Sequence, residues 1–256
     1  MEVMDRLRSD CPWNHAQTDE TLRPLTIEEA YELSDAVLEG DRPALRKELG
    51  DLALHVLFYA KIGEEKGDYD IADILDGMCE KMIFRHPHVF GDPSGRKMTA
   101  EEVAKEWELR KTKEKAGKTI LEGVPKSCEP VQKAYILQDK ASAVGFDWDS
   151  PADVWPKVDE EIAEAKEAVG YASRSAAPVV SREHAEEEFG DAMFALVNAA
   201  RLYGVDPSVA LRKACDKFQR RFTYMETQAS ARGLDLGTMT LSEMDAIWDE
   251  GKAKGL

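Results

Sequence analysis

Glu48-Leu-Gly-Asp51-Leu-Ala-Leu and Glu188-Phe-Gly-Asp191-Ala-Met-Phe are two copies of one pattern, 140 positions apart in a chain of 256 residues. Upstream of them, Ile27-Glu-Glu29-Ala-Tyr-Glu32 matches Asp159-Glu-Glu161-Ile-Ala-Glu164 at a spacing of 132. The spacing changes only where a loop is expected between helices. The sequence therefore contains two copies of one module.

The same repeat continues downstream, where Cys79-Glu-Lys81-Met-Ile-Phe-Arg85 matches Cys215-Asp-Lys217-Phe-Gln-Arg-Arg221 at a spacing of 136. Apolar residues around these motifs recur with the period of a helix, and no segment alternates as a strand would. The sequence therefore predicts an all-α fold. The predicted helices cover 27–38, 43–65, 70–84, 131–144, 154–169, 182–203, 207–226 and 241–252.

Several residues are candidate helix caps. Thr26 and Asp41 precede the first two predicted helices, and Ser181 and Asp206 precede two later ones. Asp70 also recurs in the repeat, opposite Asp206, and we interpret both as caps in preference to metal ligands.

Domain boundaries follow from composition. We assign 1–95 to an N-terminal module, 96–130 to a glycine- and proline-containing linker, and 131–256 to a C-terminal module. One module of two to four helices leaves an apolar face uncovered. We therefore expect a homodimer that completes four-helix-bundle-like units.

Charge and composition exclude several classes of protein. The net charge is −16 and 43% of residues are hydrophobic, which argues against a disordered chain and a general nucleic-acid binder. No apolar run is long enough to cross a membrane, and no secretion signal is recognisable. The four cysteines form neither a disulfide framework nor a zinc motif. We expect a cytoplasmic protein without a membrane or nucleic-acid partner.

Each repeat carries two pairs of carboxylates at a spacing of three residues, which places each pair on one helix face. Four carboxylates without histidine or cysteine suit Mg²⁺, with Mn²⁺ as an alternative, better than zinc. A lysine and an arginine one turn apart would bind an anion beside the metal, which indicates a polyphosphate. The candidate metal ligands are Glu29, Glu32, Glu48 and Asp51, and Glu161, Glu164, Glu188 and Asp191; the cations are Lys81, Arg85, Lys217 and Arg221.

Structural interpretations compete with this one. An isolated Glu-x-x-Glu is most often a solvated helix face, and Thr26 with Glu29 has the spacing of a capping box. His55 follows Asp51 by one turn, but its repeat counterpart is Ala195, so it lies outside the shared set. The recurrence of all the positions together favours the metal interpretation.

The motifs Cys11-Pro-Trp-Asn, Arg85-His-Pro-His-Val-Phe, Leu121-Glu-Gly-Val-Pro125 and Gly145-Phe-Asp-Trp148, together with the carboxylate pairs, resemble those of the MazG family of nucleoside triphosphate pyrophosphohydrolases. The resemblance covers nearly the whole chain. It implies an all-α, dimeric, Mg²⁺-dependent enzyme that cleaves nucleoside triphosphates to monophosphate and pyrophosphate. It places the family's metal signature on the eight carboxylates named above. Asn14 stands where the family pattern has aspartate.

The predicted chemistry is metal-assisted hydrolysis at the α-phosphorus, with the C-terminal site ranked first. Glu160 or Glu187 would act as general base, and Lys217 and Arg221 would neutralise the leaving pyrophosphate. Trp148 and Trp248 would stack on the base, with core packing as the alternative role.

We expect broad base specificity and a role in the clean-up or regulation of nucleotide pools. The alternatives are a non-catalytic helical interaction protein and a narrower relative that cleaves dUTP or phosphoribosyl-ATP.

Overall fold

The computed structural model describes residues 1–91, 98–100, 102–103, 106–107, 110, 119–170 and 181–256. The chain divides into two compact units, Met1–Trp107 and Glu108–Leu256. The regular structure of the described residues is helical, without a strand, so the all-α prediction is confirmed. Fifteen of the 35 residues of the predicted linker, and the stretch 171–180, lie outside the described residues. The predicted domain boundaries stay a prediction.

The first unit is built on a hairpin of two long helices. The turn between them uses Gly40, at a φ of 69°, followed by Asp41, whose side chain accepts a hydrogen bond from the amide of Ala44. Asp41 is therefore the predicted cap. Met4 and Leu22 pack with Phe58 and Ile62 in the core. The helices are α1 (Glu2–Asp10), α2 (Pro12–His15), α3 (Asp19–Glu39), α4 (Arg42–Lys66), α5 (Ile71–Arg85) and α6 (Pro87–Phe90).

The prediction that a helix begins after Thr26 is wrong. Helix α3 begins at Asp19 and is capped by Thr18, and it continues through Pro24. The Thr26 hydroxyl instead lies 2.9 Å from both His55 Nδ1 and the Tyr59 hydroxyl. Thr26 therefore connects α3 to α4 through hydrogen bonds. Because Thr26 does not cap a helix, the capping-box interpretation of Glu29 is also wrong.

The second unit repeats the hairpin with longer connections. Ser181 and Asp206 cap the helices that follow them, as predicted. Among the described residues no helix is both long and apolar enough to cross a membrane. The elements are α7 (Pro130–Ser142), a 3-10 turn (Pro151–Val154), α8 (Trp155–Ala168), α9 (Arg182–Leu202), α10 (Pro207–Ala231) and α11 (Leu241–Ala253).

Two clusters form the core of the second unit. Val154 and Val158 pack against Ala195 and Ala199, which joins the 3-10 turn and α8 to α9. Met225, Ala229 and Ile247 join α10 to α11. The small side chains of Ala195 and Ala199 allow the backbones of α8 and α9 to approach each other closely. Polar side chains one turn further along these two helices therefore face each other directly.

Candidate metal centre

The antiparallel register of α3 and α4 creates a carboxylate cluster in the first unit. Leu22 packs near Phe58, and Thr26 meets His55, so the next turn of α3 faces the turn of α4 that carries the acidic motif. Carboxylate oxygens of Glu29, Glu48 and Asp51 lie within 4.8 Å of one another.

Glu32 lies at the edge of this first cluster, outside the group of three. The Nζ of Lys47 lies 3.9 Å from the Oε2 of Glu32 and so connects Glu32 to the cluster. The first unit therefore joins three of its four predicted ligands directly.

The second unit has an equivalent cluster between α8 and α9. Val158 packs against Ala195, and one turn further Glu161 and Glu164 face Glu188. Carboxylate oxygens of these three glutamates lie within 4.8 Å of one another. Asp191, the fourth predicted ligand, lies outside this group. Both units thus bring together three of the four carboxylates that the sequence singles out.

Each cluster contains one carboxyl group whose pKa is raised. The pKa of Glu29 is raised by burial and then by the charges of Asp51, Glu32 and Glu48, and its Oε2 has no hydrogen-bond partner among the described residues. The pKa of Glu164 is raised in the same way, by desolvation and then by Glu161 and Glu188. A divalent cation would remove both penalties, and oxygen-only ligands fit Mg²⁺ or Mn²⁺.

Each cluster contains a lysine that the sequence analysis did not single out. Lys47 Nζ lies 3.0 Å and 3.1 Å from the two carboxylate oxygens of Glu48 and 3.4 Å from Asp51. Lys157 Nζ lies 2.8 Å from Glu161 and 3.1 Å from Glu160. The pKa of each lysine is raised, chiefly by these hydrogen bonds. The sequence contains a signal for both lysines, because each lies four residues before a predicted ligand and so on the same helix face: Lys47 before Asp51, and Lys157 before Glu161.

The predicted anion-binding arginines each lie over a tryptophan. The Arg221 guanidinium carbon is 5.8 Å from the centre of the Trp248 ring, and its Nε donates to the main-chain oxygen of Leu256 at 2.6 Å. In the first unit, Arg85 lies 5.0 Å from the Trp107 ring. The arrangement recurs in both units and holds each guanidinium by a cation–π contact.

In the described part of the chain, four further predicted residues show no hydrogen bond or ion pair with a cluster carboxylate. Lys81 and Lys217 are exposed, and neither makes an ion pair with a predicted metal ligand in the part of the chain that the structure describes. Glu187 is exposed on α9. Trp148 is 41% exposed and lines a cavity of the second unit. The roles assigned to these residues stay predictions.

Comparison with known proteins agrees with these features. Residues 17–90 match the model of the MazG nucleotide pyrophosphohydrolase domain. The chain is 41% identical to the nucleoside triphosphate pyrophosphohydrolase of Escherichia coli K12, over 98% of this chain and 95% of that protein. It is 39% identical to the nucleoside triphosphate pyrophosphohydrolase/pyrophosphatase MazG of Thermotoga maritima, over 100% of this chain and 94% of that protein. With both repeats inside these alignments, the chain belongs to the MazG family.

Proposed function

We propose that this protein hydrolyses nucleoside triphosphates to nucleoside monophosphates and pyrophosphate. The observation that carries the proposal is the cluster of Glu161, Glu164 and Glu188, in which carboxylate oxygens of three residues lie within 4.8 Å of one another. The names of the two relatives support the same reaction.

The second cluster fits Mg²⁺, which Glu161, Glu164, Glu188 and, after a side-chain movement, Asp191 would hold. The raised pKa of Glu164, caused by desolvation and then by the charges of Glu161 and Glu188, supports this assignment because a bound cation would offset both effects. When bound, the metal supplies Lewis-acid polarisation of phosphate oxygens and lowers the pKa of water. Mn²⁺ has the same ligand preference.

The protein's own side chains would handle the proton and the leaving group. Glu160 is paired with Lys157, and Glu187 is exposed beside Glu188; either can accept the proton of the attacking water. Arg221, fixed over Trp248 by its bond to Leu256, would neutralise charge that develops on pyrophosphate, together with Lys217.

The first unit would hold a second metal site built from Glu29, Glu32, Glu48 and Asp51, with Lys81 and Arg85 as its anion-binding cations. We rank it after the second-unit site. We further propose a homodimer that covers the exposed apolar faces of both hairpins, cytoplasmic location, broad base specificity and a role in nucleotide-pool clean-up.

Product analysis tests the reaction. The protein is incubated with the four ribonucleoside triphosphates and Mg²⁺ in ¹⁸O-labelled water, with an EDTA arm and a Mn²⁺ arm. We expect monophosphates and pyrophosphate, no turnover in EDTA, and the label in the monophosphate, because attack at the α-phosphorus places the water oxygen there. Diphosphates with phosphate, or label in pyrophosphate, would contradict the proposal.

A further inference from the structure

The guanidinium group of Arg221 uses one of its five N–H donors inside the protein. Its Nε donates to the main-chain oxygen of Leu256 at 2.6 Å, and the side chain makes no other hydrogen bond among the described residues. The four N–H groups of Nη1 and Nη2 are left. They form a planar fork whose geometry matches two oxygens of a phosphoryl group.

The face of the same guanidinium group is held by an aromatic ring. The Cζ of Arg221 lies 5.8 Å from the centre of the Trp248 ring, and that ring lies 5.3 Å from the ring of Phe218 on α10. Trp248 belongs to α11, and Leu256 belongs to the turn that follows α11. The end of α11 therefore contacts the guanidinium group from two directions, at its face and at its Nε.

The turn that presents the Leu256 oxygen depends on Gly255. The φ of Gly255 is 80°, the N–H of Leu256 bonds to the main-chain oxygen of Gly251 at 3.2 Å, and the N–H of Gly255 bonds to that of Lys252 at 3.0 Å. This is the Schellman pattern of a helix C-terminus. A Cβ on Gly255 would meet nothing within 4 Å, so glycine is required for its φ and not for space.

The turn is also fixed to α10. The Nζ of Lys254 donates to the hydroxyl of Tyr224 at 2.7 Å and lies 4.7 Å from the centre of its ring. A methyl group on Gly251 would lie 3.2 Å from Tyr224 Cδ1, so the two helices approach closely here. Tyr224 follows Arg221 by three residues and shares its helix face. The Leu256 oxygen therefore has a fixed place beside Arg221.

We propose that the turn at 254–256 is a positioning element of the pyrophosphate site: the Leu256 oxygen holds Arg221 so that Nη1 and Nη2 bind two phosphoryl oxygens end-on. The proposal rests on the proposed function, in which Arg221 neutralises the leaving pyrophosphate. A mobile arginine loses rotamer freedom when it binds an anion, and the anchored side chain has already lost much of it. The turn thus strengthens binding of phosphates without touching them.

The test perturbs the turn and measures the binding of the two products separately. Gly255→Val places a β-branched residue at a φ of 80°, which such residues avoid, and so displaces the Leu256 oxygen. We expect calorimetry with Mg²⁺ to show that the Kd of pyrophosphate rises about tenfold while the Kd of AMP stays unchanged. General damage to the second unit would weaken the binding of both products.

Gly204→Val is the matched control. Gly204 follows α9 in the second unit, has a φ of 66° and, like Gly255, has nothing within 4 Å of an added Cβ. The backbone strain of the two variants is therefore similar, and Gly204→Val should leave the Kd of pyrophosphate unchanged. An equal loss of pyrophosphate binding in both variants would overturn the proposal.

A double variant tests whether the turn acts through Arg221. Arg221→Met removes the guanidinium group, so Gly255→Val should then weaken pyrophosphate binding no further. Tyr224→Phe, which removes only the hydroxyl that Lys254 contacts, should raise the Kd of pyrophosphate by less than Gly255→Val and decides the question if that variant does not fold. A further loss in the double variant, or an equal loss of AMP binding, would overturn the proposal.

Turnover keeps this proposal distinct from the proposed function. If the unchanged protein hydrolyses no nucleoside triphosphate, the proposed function fails, and the Kd values of pyrophosphate and AMP still decide the role of the turn. If the protein hydrolyses nucleoside triphosphates but Gly255→Val binds pyrophosphate as tightly as the unchanged protein, only the positioning role fails. An unchanged protein that binds no pyrophosphate overturns the positioning role.

Discussion

The ammonium of Lys157 lies 2.8 Å from a carboxylate oxygen of Glu161, the buried member of the second cluster. In the first cluster Lys47 makes the equivalent contact with buried Glu48 at 3.0 Å, although the two lysines come from different helices of the hairpin. Each cluster therefore carries a tethered cation at its most buried carboxylate. A divalent ion at either site must share that carboxylate with the lysine or displace it.

Removal of the tethered cation should strengthen metal binding. In Lys157→Met, Glu161 no longer has a competing ammonium group, so we expect Mg²⁺ to bind more tightly, by at most about fivefold because the lysine is partly exposed. Calorimetric titration of the nucleotide-free protein measures this. Lys126→Met, an exposed lysine remote in sequence from the carboxylates, is the matched control. Unchanged or weaker Mg²⁺ binding in Lys157→Met would show that the lysine does not compete.

The raised pKa of Glu29 predicts a pH dependence of stability in EDTA. The carboxyl group of Glu29 binds a proton more tightly in the folded protein than in the unfolded protein. At pH 7 the ionised Glu29 therefore makes an unfavourable contribution to the free energy of unfolding. This penalty decreases as the pH falls through the raised pKa towards 4.5. Glu29→Gln should therefore raise the unfolding temperature of the metal-free protein by a few degrees at pH 7, and by less near pH 4.5.

Glu28→Gln, the neighbouring exposed glutamate, is the control and should change little at either pH. Thermal unfolding from pH 4.5 to 8 makes the comparison. A lower unfolding temperature for Glu29→Gln at pH 7 would mean that another group already compensates the charge of Glu29.

Arg8 should be essential to the stability of the first unit. Its side chain is 9% exposed, forms an ion pair with Glu65 and donates to the main-chain oxygens of Asn14, His15 and Gln17. A lysine ammonium cannot span these acceptors as a planar guanidinium does. We expect Arg8→Lys to lower the free energy of unfolding by about 2–4 kcal/mol.

Urea denaturation measures this loss, with Arg6→Lys as the control, since the Arg6 side chain is 85% exposed and, among the described residues, pairs with Asp10. Equal stability of the two variants would show that Arg8 is replaceable.

Most of the long helices and several of their caps could be predicted from the sequence because their signals are local. Asp41, Ser181 and Asp206 each bond an amide two or three residues ahead, which needs no tertiary contact. The start of α3 could not be predicted, because Pro24 and Thr26 have the residue types that usually begin a helix. What decides that start is long-range: Leu22 is buried against α4, so the helix extends N-terminally past the proline.

The carboxylate clusters were predictable because a spacing of three residues places side chains on one face, whatever the helix packs against. The cavity of the second unit that Gln138 and Trp148 line was not predictable, since residues of α7, of the turn at 145–148 and of α9 together form its wall. The separation of Asp191 from the other three predicted ligands likewise depends on side-chain positions that sequence spacing does not determine.

If the second-unit carboxylates carry the hydrolysis, Glu188→Ala/Asp191→Ala should lose turnover. The control is Glu183→Ala/Glu186→Ala, which removes two carboxylates of the same helix and spacing outside the cluster. With Mg²⁺ and mixed nucleoside triphosphates, and with folding checked by circular dichroism, we expect pyrophosphate release to fall at least about a hundredfold in the first variant and to persist in the control. Undiminished release from Glu188→Ala/Asp191→Ala would show that these carboxylates do not carry the hydrolysis.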